Sequence, residues 1–299
     1  MKVSYLNDDF FSRLETLALN LRTDLSGFFG GKHLVRTYGQ TVEFADYREY
    51  MLGDDIRRID WNLYSRFEKF FIKLFTDERQ MHVRIYLDCS ASMGKSDPGK
   101  AAYAIATAAA LGFLAVHNTD KLSLNLIGEN GVTNPFGTIV GKNAFFSAIH
   151  QLEDVQFKGD NDLYAAVTGD RSSGTGDGLS VIISDFFTES DWKKTVDYLC
   201  FKKRQVLLLQ VMSPAEYEPT YDGRMNLIDS ESVDLADPRN MRLRITNSMQ
   251  RAYAQAMKDY IAELTTYCHS RGAEFISIVT DKSIEKTLFG RLLGAEIIE

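Results

Sequence analysis

From about residue 122 the chain alternates short β-branched or apolar runs with amphipathic stretches of helical length, the pattern of an α/β domain on a largely parallel sheet. The expected strands are residues 83–88 (VRIYLD), 122–128 (LSLNLIG), 179–187 (LSVIISDFF), 205–212 (QVLLLQVM) and 274–280 (EFISIVT). Three of these are nearly unbroken apolar runs, as strands covered on both faces should be. Residues 98–117, 142–152, 191–203, 248–270 and 283–293 repeat apolar positions near helical spacing and are expected as the covering helices. Pro98 suits a first turn, where a missing amide proton costs nothing. Gly272 suits the stop of the long 248–270 helix.

Two regions break this rhythm. Residues 1–80 are dense in aromatics and in both signs of charge and are expected as a separate N-terminal subdomain, which leaves 81–299 for the α/β domain. Inside the latter, 214–246 carries Pro, Gly and Asp beside the alternating MNLID and MRLRI, so a β-hairpin or small sheet is expected before the long helix.

Composition narrows the classes. With 44% apolar and 25% charged residues over 299 positions the chain is neither disordered, collagen-like nor a coiled coil. A net charge of −7 lacks the phosphate-neutralising surface of a general nucleic-acid binder, so DNA and anionic membranes are not expected partners. Cys89, Cys200 and Cys268 are odd in number and widely spaced, which fits reduced thiols in a cytoplasmic protein. The first residues, MKVSYLNDDFFSRLE, hold acids where an export signal needs an apolar stretch. The longest uncharged run, 101–116, falls short of the roughly 18 to 20 residues that span a bilayer and is expected as a buried helix, with no direct membrane insertion.

The chemistry gathers at predicted strand ends. The first strand closes on Asp88-Cys89-Ser90-Ala91-Ser92, so a carboxylate and two hydroxyls at alternate positions leave the carboxyl edge of a parallel sheet, where ligands of open α/β sheets bind. Three oxygens aimed at one centre suit a hard cation, Mg2+ first, with Mn2+ or Ca2+ as substitutes. Asp185 closes a second strand, and Gly159-Asp160-Asn161-Asp162-Leu163 opens a helix with further oxygens. The competing reading is turn and helix-cap chemistry, for which Asp and Ser are equally suited.

Other motifs carry less. Gly94-Lys95-Ser96 lacks the glycine five positions earlier that a phosphate-binding loop needs, because Cys89 stands there. Gly174, Gly176 and Gly178 precede a strand, the wrong order for a dinucleotide fingerprint. The five histidines show no zinc spacing, and Cys89 is expected to turn inward as a small apolar side chain. In residues 53–61, Asp54, Asp55 and Asp60 stand among Arg48, Arg57, Arg58 and Arg66. A structural ion network is the expectation, with a docking surface as the alternative.

The run Tyr50-Met51-Leu52-Gly53-Asp54-Asp55-Ile56-Arg57-Arg58-Ile59-Asp60-Trp61-Asn62, followed by Ser65-Arg66, Phe71-Ile72-Lys73, Glu78-Arg79 and LDCSASM, resembles the domain of unknown function 58 proteins, which carry a von Willebrand factor A-like domain. The likeness covers about residues 10–190, with a looser match at 227–232 and in the last helix and strand. It implies a Rossmann-like, doubly wound sheet with a metal-ion-dependent adhesion site. Ser90 and Ser92 would be direct ligands, Asp88 and Asp185 would act through water, and a partner's carboxylate would complete the shell. Where relatives have Thr-Asp-Leu this chain has Asn161-Asp162-Leu163, so Asn161 would coordinate through its amide oxygen, or Asp160 or Asp162 would substitute for the threonine. The likeness also implies a MoxR-type AAA+ ATPase as partner, in assembling or activating other proteins.

The expected function is therefore a non-enzymatic, divalent-cation-dependent protein-protein interaction module. The alternative is a metal-dependent hydrolase, a phosphoesterase in which the same carboxylates hold a water-activating cation. Against it, the sequence offers no placed general base, second metal cluster or basic clamp for phosphate.

Overall fold

The computed structural model describes residues 6–20, 43–76, 81–94, 97–170, 178–188, 190–220, 223–227, 241–284, 287 and 290. Glu78-Arg79, Lys95-Ser96, Gly174, Gly176, most of 227–232 and most of the expected 283–293 helix lie outside those residues. In chain order the elements are α1 (Asp8–Asn20), β1 (Glu43–Glu49), a 3-10 turn (Ile56–Arg58), α2 (Trp61–Phe67), β2 (Phe71–Thr76), β3 (His82–Asp88), α3 (Ala91–Gly94) and α4 (Pro98–His117). Then follow β4 (Lys121–Gly128), β5 (Gly131–Thr133), α5 (Lys142–Leu152), α6 (Leu163–Gly169), β6 (Leu179–Ser184), α7 (Trp192–Phe201) and β7 (Gln205–Met212). The last are α8 (Pro214–Tyr217), β8 (Gly223–Leu227), β9 (Met241–Ile245), α9 (Asn247–Ser270) and β10 (Glu274–Val279).

Two compact units divide the chain: residues 1–22 with 81–299, and residues 23–80. The division expected at residue 80 and the observed grouping differ for the first helix. α1 clusters with the larger unit because Phe11 packs edge-on against aromatic rings of α4 and α5, with centroids 5.6 Å from Phe113 and 5.1 Å from Phe146.

The larger unit is built on a six-stranded sheet in the order β10-β7-β6-β3-β4-β5. Five strands are parallel, and β5 closes one edge antiparallel to β4. This is the doubly wound α/β fold expected of a von Willebrand factor A-like domain: the five predicted strands are those five, and helices cover both faces. α4, flanked by α1 and α5, covers one face. Tyr86, Ile182 and Leu208 meet Leu163, Val167, Trp192, Val196 and Leu264 from α6, α7 and α9 on the other. The expected β insertion is the antiparallel pair β8–β9. The order in which strands are added reverses beside β3, which pairs parallel with β4 on one side and β6 on the other. Such a switch point leaves an open crevice at the strands' carboxyl ends.

Local signals hold the helices in place. Pro98 stands at the first position of α4, whose cap Asp97 accepts from the Gly99 amide at 2.8 Å. Gly272, with φ of +71°, ends α9 in the left-handed conformation that a side chain would resist. α4 is long and apolar enough to cross a membrane, yet 83% of its apolar window is buried in the fold. Its burial matches the expected core helix, whereas the expected shortfall in length does not hold, because the apolar stretch extends to 19 residues. All three cysteines are free thiols.

In the smaller unit, β1 and β2 form an antiparallel pair, and Ile59 bridges to Ile72 to make a small buried core beside Tyr50. Asp60 caps α2 by accepting from the Asn62 and Leu63 amides. The charged segment is a local network. Arg48 donates two bonds to Asp54 at 2.8 and 2.9 Å, and Lys73 pairs with Asp60 at 3.0 Å. Arg57 is exposed, and its backbone amide is held by Asp55.

Candidate metal-ion site

The sheet's carboxyl edge beside β3 gathers side chains from two strand-to-helix segments and from the loop that joins α5 to α6. β3 delivers Asp88 to the edge, Ser90 stands in the turn that follows, and Ser92 lies in the first turn of α3, which begins at Ala91. The two hydroxyls share a hydrogen bond, with their oxygens 3.0 Å apart. A second segment is pinned to the first by two backbone bonds, Ala91 N to Gly159 O at 2.8 Å and Lys158 N to Cys89 O at 2.9 Å. Gly159 has φ of +70°, and a Cβ there would run into the Glu129 side chain. That left-handed turn brings Asn161 to Asp88.

Asp88 is buried and fully engaged. Its Oδ1 accepts from the Ser90 amide at 2.8 Å and from Asn161 Nδ2 at 2.5 Å, and its Oδ2 accepts from the Ser184 hydroxyl at 2.6 Å. Burial, then the nearby Asp185 carboxylate, push its pKa up to about 6. The hydrogen bonds from Ser184 and Ser90 pull the other way. Because a carboxylate only accepts, Asn161 must turn its amino group to Asp88 and keep its carbonyl oxygen out of that contact.

The third segment follows β6. Phe186 has φ of +59°, an uncommon value for a bulky residue, and its surroundings hold it there. The Phe186 amide donates to Ser184 Oγ at 2.9 Å, Tyr260 donates to Phe186 O at 2.6 Å, and Gln210 donates to Asp185 O at 3.0 Å. Asp185 is buried, with Oδ1 taking the Phe187 amide at 3.0 Å.

A fully buried ammonium completes the cluster. Lys100 Nζ donates to Asp185 Oδ2 at 2.8 Å, to Glu216 Oε1 at 2.8 Å and to Ser92 O at 3.2 Å. Burial opposes the charge, but Asp185 and Glu216 outweigh it and raise the lysine's pKa. Thus Asp185 and the DxSxS turn meet on one atom. Asp162 faces another duty: its Oδ1 caps α6 through the Ala165 amide at 3.0 Å and takes the Ser190 hydroxyl at 2.9 Å. Cys89 is buried, and burial, reinforced by Asp88, pushes its thiol pKa up, so it is a poor nucleophile.

Among the described residues no three His, Cys, Asp or Glu side chains gather to hold a metal by themselves. Any cation here depends on hydroxyls. Adjacent ligands of an octahedral Mg2+ at about 2.1 Å stand about 3.0 Å apart, which is the observed Ser90–Ser92 spacing. The carboxylates, occupied by donors, suit contact through water. The residues present therefore fit a small hard cation.

Of the residues expected at one site, Asp88, Ser90, Ser92, Asn161 and Asp185 come together in the structure, while Asp162 caps α6. Ser184, Lys100 and Glu216 join them without having been expected there. One signal was available for Lys100: a single charge in the first turn of an otherwise apolar helix, where the helix dipole disfavours a cation unless an anion faces it.

The family model described as "Protein of unknown function DUF58" matches residues 46–260, well over half of the chain. The chain belongs to the DUF58 family. Similar proteins include the uncharacterized proteins Rv1480 of Mycobacterium tuberculosis and Mb1516 of Mycobacterium bovis, each 26% identical over 274 residues, spanning 90% of this chain and 84% of the relative. Among solved structures, BatB from Bacteroides thetaiotaomicron aligns with 72% of this DUF58 chain and 100% of its own at 17% identity and a TM-score of 0.43. The SpRpn10 VWA domain aligns with 74% of this chain and 100% of its own at 9% identity and a TM-score of 0.39. For this DUF58 protein the architecture rests on its own strand order.

Proposed function

We propose that this protein is a non-enzymatic, divalent-cation-dependent interaction module of the cytoplasm. It would capture an acidic side chain of another protein at the carboxyl edge of its sheet. The observation that supports this most is the Ser90–Ser92 hydroxyl pair at 3.0 Å, beside two buried carboxylates. Ser90 and Ser92 would supply direct ligands. Asp88, locked by Ser90, Asn161 and Ser184, and Asp185, oriented by the Phe187 amide, would hold the ion through water. Bound Mg2+ would supply a Lewis-acidic centre with water-filled positions, one of which a carboxylate can replace. The partner class carried by the family resemblance is a MoxR-type AAA+ ATPase, with this chain as adaptor in assembling or activating other proteins.

Hydrolysis is the weaker reading. The Cys89 thiol is held protonated by burial, so it is not poised as a nucleophile.

The test is co-purification of the protein with a MoxR-type ATPase from the same organism, in Mg2+ and in chelator. Ser90→Ala with Ser92→Ala should abolish Mg2+-dependent capture while leaving the thermal melt nearly unchanged. Capture that survives in the double variant or in chelator would sink the proposal.

A further inference from the structure

The buried ammonium of Lys100 serves no purpose in capture as described, and a buried ion pair is poor evidence for a stabilising role, since an apolar substitute is often as good. Its position is the informative feature. Lys100 is 0% exposed and touches both halves of the candidate cation site: the carboxylate of Asp185 and the backbone oxygen of Ser92. It also reaches Glu216, held in a capping box with Ser213 at the start of α8. A fixed positive charge there repels a second cation and attracts an anion, whichever carboxylates are counted as neighbours.

We propose that Lys100 is a resident cation that tunes the site, weakening its hold on the divalent ion and strengthening the loaded site's hold on an acidic partner. The inference rests on the proposed cation-dependent reading. With Lys100 in place, Asp185 is engaged, so the site keeps its shape without a metal and its carboxylate stays a water-mediated contact. When a metal is bound, the ammonium adds one positive charge beside the position that the partner's carboxylate takes.

The experiment titrates the whole protein with Mn2+ alone, followed by electron paramagnetic resonance of the free ion, for wild type, Lys100→Met and Glu216→Gln. Lys100→Met should bind Mn2+ about ten-fold more tightly or better, and Mn2+ should raise its melting temperature more than that of wild type. Glu216→Gln removes the outer negative charge that partly neutralises the lysine, so it should bind Mn2+ several-fold more weakly, which keeps the test open if Lys100→Met does not fold. If wild type binds Mn2+ while Lys100→Met binds no tighter, or Glu216→Gln binds no more weakly, Lys100 is only a structural ion pair. If neither wild type nor Lys100→Met binds at millimolar Mn2+, the cation-dependent reading falls with it.

Discussion

Two clusters in this chain contain the same residue types and differ in everything else. In residues 43–76, Arg48 pairs with Asp54 six positions on and Lys73 pairs with Asp60 thirteen positions back, on side chains that in part face solvent. At the sheet edge Lys100 meets Asp185 across 85 positions and Glu216 across 116, with the lysine fully buried. The first cluster fixes a turn and a helix cap. The second joins three strand ends and leaves two hydroxyls side by side. Residue type therefore does not separate scaffold from candidate site. Burial, sequence separation and donors left facing one point do.

The largest expected effect breaks the second cluster. Asp185→Ala strands the Lys100 ammonium in a buried position with Glu216 alone, and breaking such a pair costs about 3–5 kcal/mol in urea unfolding. The matching change in the first cluster, Arg48→Ala, should cost about 1 kcal/mol or less because the pair is partly exposed. Equal losses would erase the distinction between the clusters. Arg57→Ala, in an exposed side chain of the same segment, should leave the melting temperature within error, and a large loss would show that the segment's network extends beyond Arg48 and Asp54.

A pH experiment sharpens the comparison at the opposite end of the sheet. His82 bonds to Ser123 Oγ at 2.7 Å, and burial, then Arg84, Arg204 and Lys121, lower its pKa to about 4, against a small opposing pull from Asp170. Because the folded value lies below the ordinary 6.5, the unfolded chain binds the proton more readily between them. The His82 contribution is thus complete above 6.5 and is lost as pH falls toward 4. Asp120, raised to about 6 by burial, acts oppositely in part of that window, so the readout is the difference between wild type and His82→Gln. That difference should shrink on acidification, and an NMR midpoint for His82 near 6.5 would contradict the assignment.

The strands were legible because apolar runs and intervening helical periods specify a covered parallel sheet, and Asp88, Ser90, Ser92 and Asp185 were legible because they sit at strand ends. Other features lack a local signature. The apolar pattern of β3 conceals His82, Arg84 and Tyr86 at alternate positions, a polar series on one face of a central strand. Lys100 reads locally as the solvated start of a helix, and its partners lie far along the chain. The side of the domain boundary on which α1 falls depends on Phe11 finding rings in α4 and α5, again a tertiary matter.

Diffraction from a crystal grown with Mn2+, with data collected at the manganese absorption edge, addresses the central claim most directly. An anomalous peak within about 2.3 Å of both Ser90 Oγ and Ser92 Oγ, lost in the double alanine variant, is the predicted result. Saturating Mn2+ with no peak between those hydroxyls would contradict it.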